Sequence, residues 1–213
     1  MSVRNKTRNK HQIRTEETQA KILRAAEVIF SEQGFEKTQL EEIAARAGYT
    51  RGAIYAHYAD KEDLFLALMQ NRVMTQFTAI WRVMEAEPEV SKRPGIFKRW
   101  IASQAKDRNW CTLNLEFKLY VLRRPRSRAK LLRMYDMMRK LPGGNIDRKH
   151  AFIKLLFGEN LDKTSLLAVE RRLAVMGAIL GAVILESYLR PKLLSQAQLP
   201  PVLEELYDAL VRA

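Results

Sequence analysis

Residues 40–59 read LEEIAARAGYTRGAIYAHYA, and three positions inside that window dictate how the backbone bends. Ala44 is small where two crossing helices must approach closely. Gly48 can adopt a left-handed conformation, which a sharp exit from a helix needs. Ile54 can pack back onto the first of the two helices. The result is a pair of helices joined by a tight turn, with the start of the second, residues 50–55, left to face outward. A helix presented in this way fits the groove of double-stranded DNA.

The surrounding sequence has helical period almost throughout. Ile22, Ala26, Ile29 and Phe30 form one face of a first helix, and Gly34 is expected to stop it. Thr38-Gln39-Leu40-Glu41 fits a capping box at the start of a second helix, whose buried stripe is Leu40, Ile43, Ala44 and Ala47. Thr50 can cap a third. Asp60, with Asp63 three positions on, opens a fourth that carries Leu64, Phe65, Leu68 and Met69 and runs to about residue 85. After a break at 88–95, helices are expected at 96–108, 112–123, 126–140 and 147–157, with a stop at 141–144. A long helix at 163–188 ends before Pro191, and a last one covers 202–212 after Pro200 and Pro201. No stretch alternates with period two, so the fold class is all-α.

Charge and cysteine content narrow the function. The chain of 213 residues has a net charge of +13, which invites a nucleic-acid partner. The placement is uneven. Arg4, Lys6, Arg8, Lys10 and Arg14 make residues 1–14 a basic flexible tail, suited to phosphate attraction or to solubility. Between 15 and 63, acids outnumber bases. The largest excess lies between Lys118 and Lys154, where a solvated face or an anionic effector are the two readings. One cysteine, Cys111, excludes an internal disulfide and any multi-cysteine zinc site. It reads as a buried thiol or an oxidant sensor. No metal site and no cofactor are expected, and no phosphate loop, His-Glu-x-x-His or activated nucleophile argues for an enzyme. The apolar run at 173–185 is short for a bilayer span, so a cytoplasmic protein with no membrane partner is expected.

A longer string carries a family resemblance. It includes Ala26, Phe30 and Gly34-Phe35, then Thr38, Ile43-Ala44 and Ala47-Gly48. It continues through Thr50, Gly52, Ile54-Tyr55, His57-Tyr58, Lys61-Glu62 and Leu64. Across residues 17–69 the chain resembles the TetR family of bacterial transcriptional regulators. Tyr49 stands where that family has a small aliphatic, and either widens the turn or adds a DNA contact. Tyr58 stands where phenylalanine is usual, and its hydroxyl can reach a phosphate. The resemblance implies an N-terminal three-helix head, residues 15–62, and an effector-binding and dimerisation body, residues 63–213. It also implies a sequence-specific regulator, a ligand-responsive repressor that binds a palindromic operator as a homodimer.

Candidate sites follow from both sources. Arg51 and Tyr55 lie four apart on one helix face, and Arg51 can pair bidentately with guanine. Ala53 can touch a thymine methyl, and Gly52 permits close approach of the backbone. The resemblance adds Thr38, Thr50, Tyr55, His57 and Lys61 as contacts, chiefly to phosphates; Thr38 and Lys61 are placed at helix N-termini, which favour anions. In the body, Phe77, Trp81, Met84, Trp100, Gln104, Trp110, Asn114, Phe117, Tyr120 and Met137 suit an adaptable cavity for a small hydrophobic effector, or plain core. Gly177, Leu180, Gly181 and Ile184 on the long helix, with Leu203, Leu206 and Leu210 on the last, are the candidate dimer seam.

Overall fold

The computed structural model describes residues 10–124, 127–129, 148–157, 163–195 and 197–211. Among these the chain forms nine α-helices and no strand: α1 Lys10–Lys37, α2 Leu40–Ala47, α3 Arg51–Tyr55, α4 Lys61–Ala86, α5 Arg93–Gln104, α6 Arg108–Arg123, α7 Arg148–Phe157, α8 Lys163–Leu189 and α9 Leu199–Val211. The all-α expectation holds. The expected helix at 126–140 lies outside the described residues, apart from a short helical stretch at 127–129.

Contacts divide the chain into two units, 1–71 and 72–213. The boundary falls inside α4, not at its start as the 62/63 division supposed. The first unit also begins earlier than expected, because α1 reaches back to Lys10, so residues 10–14 are helical and only 1–9 of the expected tail lie outside the described residues.

The first unit is built around buried Ile22, Phe30, Phe35, Ile43, Ile54, Leu64 and Phe65. The rings of Phe30 and Phe35 stack, and Phe65 packs tilted against both, at centroid distances of 4.9–5.9 Å. Gly34 breaks α1 with φ 76° and ψ 169°, a region open essentially to glycine alone and costing other residues roughly 1–3 kcal/mol. Gly48 ends α2 with φ 76° and ψ 29°. Its N–H bonds Ala45 O at 3.1 Å while Tyr49 N–H bonds Ala44 O at 2.9 Å, the paired closure of a Schellman turn. Asp60 and Asp63 cap α4 reciprocally: Asp63 N–H donates to Asp60 Oδ1 at 2.7 Å, and Ala59 N–H donates to Asp63 Oδ2 at 3.2 Å.

The second unit packs around Ile80, Met84, Phe97, Ile101, Phe152, Leu156, Met176, Leu199, Leu203 and Tyr207. Lys98 of α5 ties α9 to this core through Asp208 at 3.0 Å and Glu204 at 3.4 Å. α9 starts at Leu199, taking Pro200 and Pro201 into its first turn; amide hydrogens there have no intrahelical acceptor, so proline costs nothing in hydrogen bonds. α8 holds a 23-residue span, Leu167–Leu189, that by length and composition alone could cross a membrane, so length does not exclude a span as the shorter run 173–185 suggested. Arg171, Arg172 and Glu186 sit within it, and a bilayer would tax them heavily.

Candidate nucleic-acid interface and body cavity

α3 has five residues and cannot hold its angle alone. Thr50 caps it, with Oγ1 accepting from Ala53 N–H at 3.4 Å, and Ile54 is fully buried beneath it. The opposite face is open. Arg51, Gly52 and Tyr55 are exposed, and Ala53 is half-buried. A Cβ on Gly52 would meet only Thr50 Oγ1, at an ordinary 3.7 Å, so nothing within the chain demands glycine there.

Arg51 is held in place. Its Nη2 and Nε donate to Tyr55 Oη at 2.7 and 3.3 Å, and the guanidinium stands 5.2 Å from the Tyr55 ring centroid. Nη1 forms an ion pair with Glu41 at the start of α2. These partners raise the Arg51 pKa further, led by the Tyr55 hydrogen bond and then the Glu41 charge. Glu41 escaped the sequence reading because no periodicity links positions 41 and 51; only the turn at Gly48 brings them together.

Three expected contact residues are redirected by packing. Thr38 is fully buried, and its hydroxyl donates to Gly34 O at 2.7 Å, the carbonyl freed by the break in α1. It does not cap α2; Gln39 occupies that position without a side-chain bond. Lys61 Nζ donates to Glu36 O at 3.1 Å and Thr38 O at 3.0 Å and lies 4.8 Å from the Phe35 ring centroid. The ammonium thus fastens the α1–α2 connection instead of standing free for phosphate. Tyr58 is 7% exposed and packs in the core. Burial, then the Asp63 charge, pushes its hydroxyl up to about 12. His57 is half-buried and meets the Tyr58 ring edge-on at 6.3 Å. Tyr49 leaves the turn unwidened and leans on α1: its hydroxyl is 3.3 Å from Thr18 Oγ1, and Lys21 Nζ lies 5.8 Å from its ring centroid.

The second unit contains a cavity of about 210 Å³ between α5, α6 and α8. Gln104, Trp110 and Asn114 line it, as expected. So do Ile101, Cys111, Leu115, Lys118, Gly177, Gly181 and Ile184, which the sequence reading missed or placed elsewhere. Phe77, Trp81 and Trp100 pack against the aliphatic and aromatic core instead; Met84, Phe117 and Tyr120 are buried, and Met137 lies outside the described residues. Gly177 has open space where a Cβ would stand, while at Gly181 a Cβ would meet Lys118 Nζ at 3.3 Å. Burial, then Asp107, pushes the Cys111 thiol up to about 11, so it is protonated at neutral pH and a poor nucleophile for oxidants.

Two walls of the cavity touch α4. Gln76 Nε2 donates to Gln104 Oε1 at 2.7 Å. Arg72 pairs with Asp107 and lies 5.7 Å from the Trp110 ring centroid, while Asp107 caps α6 by accepting from Trp110 N–H at 3.0 Å.

Of the expected seam residues, Leu203 is 1% exposed and spent within the core; Ile184 and Leu206 are half-buried against that core. Leu180 and Leu210 lie on helices, but their side chains are outside the described set. Gly177 is exposed on α8, and so are Leu167, Ala168, Arg171, Arg172, Ala174, Val175, Ala178 and Ala182.

Residues 22–68 match the family model described as bacterial regulatory proteins, tetR family. The HTH-type transcriptional repressor BepR of Brucella suis is 51% identical over 53 residues, 25% of this chain and 25% of that protein. The HTH-type transcriptional regulator AcrR of Shigella flexneri is 56% identical over 50 residues, 24% of this chain and 23% of that protein. The matched region thus spans about a quarter of the length of these relatives. The solved structure of the fatty acid degradation regulator FadR from Bacillus halodurans aligns over 89% of this chain and 94% of that one, with a TM-score of 0.63. Its 20% identity makes that a likeness of fold.

Proposed function

We propose that the chain, whose residues 22–68 match the tetR family of bacterial regulatory proteins, is a sequence-specific DNA-binding regulator of that family, a dimeric repressor released from its operator by a small effector. One observation carries the reading: the outward Arg51–Tyr55 pair on a short helix that Gly48, Thr50 and Ile54 hold rigidly from beneath. In the major groove, the leading turn of α3 meets base edges, and a bidentate Arg51–guanine pair discriminates by about 1–3 kcal/mol. Thr50, Tyr55 and His57 border that face and suit phosphate contacts. A gel-shift titration with the DNA upstream of the encoding gene, against a scrambled duplex at matched salt, tests this. Preference for the natural fragment is expected; equal binding to both would leave only a sequence-indifferent DNA coater.

The cavity beside Trp110 is the proposed effector site. Its walls are mainly apolar with two amides and the Lys118 ammonium, which suits a small hydrophobic molecule that needs orienting. A ligand that displaces Gln104 or Trp110 acts on Gln76 and Arg72, and both lie on the helix that begins in the DNA-reading unit. The head-to-head spacing of two subunits is thereby open to ligand control. Gly177→Leu places a side chain in the open space, and Gly to a better helix former gains roughly 0.5–1 kcal/mol. The variant is expected to bind DNA and melt no lower than the parent, yet no longer respond to hydrophobic ligands that release the parent. Retained release would move the effector site elsewhere.

The exposed Ala174, Val175, Ala178 and Ala182 face is the proposed contact surface of the homodimer. Small side chains allow two copies of α8 to approach closely around a two-fold axis, and apolar ones need cover.

A further inference from the structure

Arg51 does not wait for DNA with its donors free. Glu41 holds one end of the guanidinium and the Tyr55 hydroxyl bridges the other. Both members of the ion pair are about half exposed, 54% for Arg51 and 52% for Glu41, so they face the solvent that DNA would replace. The two residues belong to different helices, α2 and α3, joined by the Gly48 turn. The first helix of such a pair crosses the DNA backbone while the second enters the groove. Glu41 is therefore a negative charge carried toward phosphates, a placement that weakens binding unless it does something else.

We propose that Glu41 sets specificity, by keeping the guanidinium of Arg51 off the phosphate backbone until a guanine edge takes it. The proposal rests on the reading of this unit as a DNA-binding head. An unpaired arginine binds any phosphate well, with a fork that matches two oxygens. Paired with Glu41, its charge is cancelled locally, and at a random site it releases no counterion. A guanine presents two acceptors, N7 and O6, at the spacing of the same fork. That site offers Arg51 more than Glu41 does, and Tyr55 keeps the side chain extended during the exchange. Specificity then comes from a repulsive element as much as an attractive one.

The test is fluorescence-anisotropy titration of a mixed-sequence duplex at several salt concentrations. The proteins compared are the parent, Glu41→Gln, Arg51→Met and the double variant; both side chains are exposed, so all four are expected to fold. Glu41→Gln keeps the shape and removes the charge. It is expected to tighten mixed-sequence binding by about three- to tenfold and to steepen the salt dependence by about one released ion. In the Arg51→Met background the same change is expected to leave affinity near that of Arg51→Met alone. Equal tightening in both backgrounds would make Glu41 a general repulsive charge and overturn the proposal. No tightening in either would also overturn it. A parent protein that binds no duplex at all would instead remove the DNA-binding reading, and this inference with it.

Discussion

Ala178→Arg is expected to halve the solution mass and cut operator affinity by roughly 10²–10⁴-fold. Ala178 is exposed on α8, beside Ala174, Val175 and Ala182. An arginine there adds bulk where two copies of α8 meet in the proposed dimer. It also places two like charges near the two-fold axis, since every substitution at an isologous interface appears twice. Helix propensity is close to that of alanine, and no core contact is lost, so the single chain stays folded. In the proposed dimer two linked heads engage two half-sites with the second event effectively intramolecular, whereas a lone head gains nothing from the second half-site, so affinity is expected to fall. Analytical ultracentrifugation and anisotropy read both quantities. A variant that keeps the dimer mass would place the seam on another face.

Phe65→Ala is expected to unfold the DNA-reading unit while sparing the body. The Phe65 ring meets Phe30 at 4.9 Å and Phe35 at 5.1 Å between centroids, and all three are buried. Removing a buried aromatic ring costs about 3–5 kcal/mol, a large part of the stability of a unit this small. Phe35 also carries Lys61 over its ring, so the loss extends to the connection that Lys61 fastens beneath α2. Hydrogen exchange followed by mass spectrometry is expected to show faster exchange within residues 10–71 and little change in α5, α6 and α9. DNA binding is lost with the head. Faster exchange throughout both units would contradict the division of the chain at residue 71.

The features legible in the sequence are those in which one residue's own chemistry decides the outcome. Gly34 and Gly48 adopt the positive φ that glycine tolerates, Asp60 and Asp63 cap as their spacing predicts, and Ile54 is buried by the pattern around it. The partners of Thr38 and Lys61 depend on tertiary geometry, which spacing along the chain does not carry. A helix start with nearby anion-binding chemistry looked like a phosphate site, yet the carbonyls freed at Gly34–Thr38 captured both side chains first. Glu41 was invisible for the same reason, since its partner is distant in sequence. In the body, α8 is apolar around most of its circumference. Periodicity therefore does not tell which stripe faces inward; Gly177 and Gly181, expected at a seam, line the cavity, and Gly177 is exposed as well. The aromatic set suits a cavity or plain core alike by composition; Phe77, Trp81, Phe97 and Phe152 pack on each other as core, and among the described residues the cavity lies at the Trp110 end.

Selection of tight binders by the full-length chain from a pool of randomised duplexes tests the central claim most directly. The account predicts one enriched motif with two-fold symmetry, its half-sites centred about 34–36 Å apart or a multiple of that, with a guanine position in each half that Arg51→Ala alone relaxes. A pool that stays random after repeated rounds, or a motif unchanged by Arg51→Ala, would contradict it.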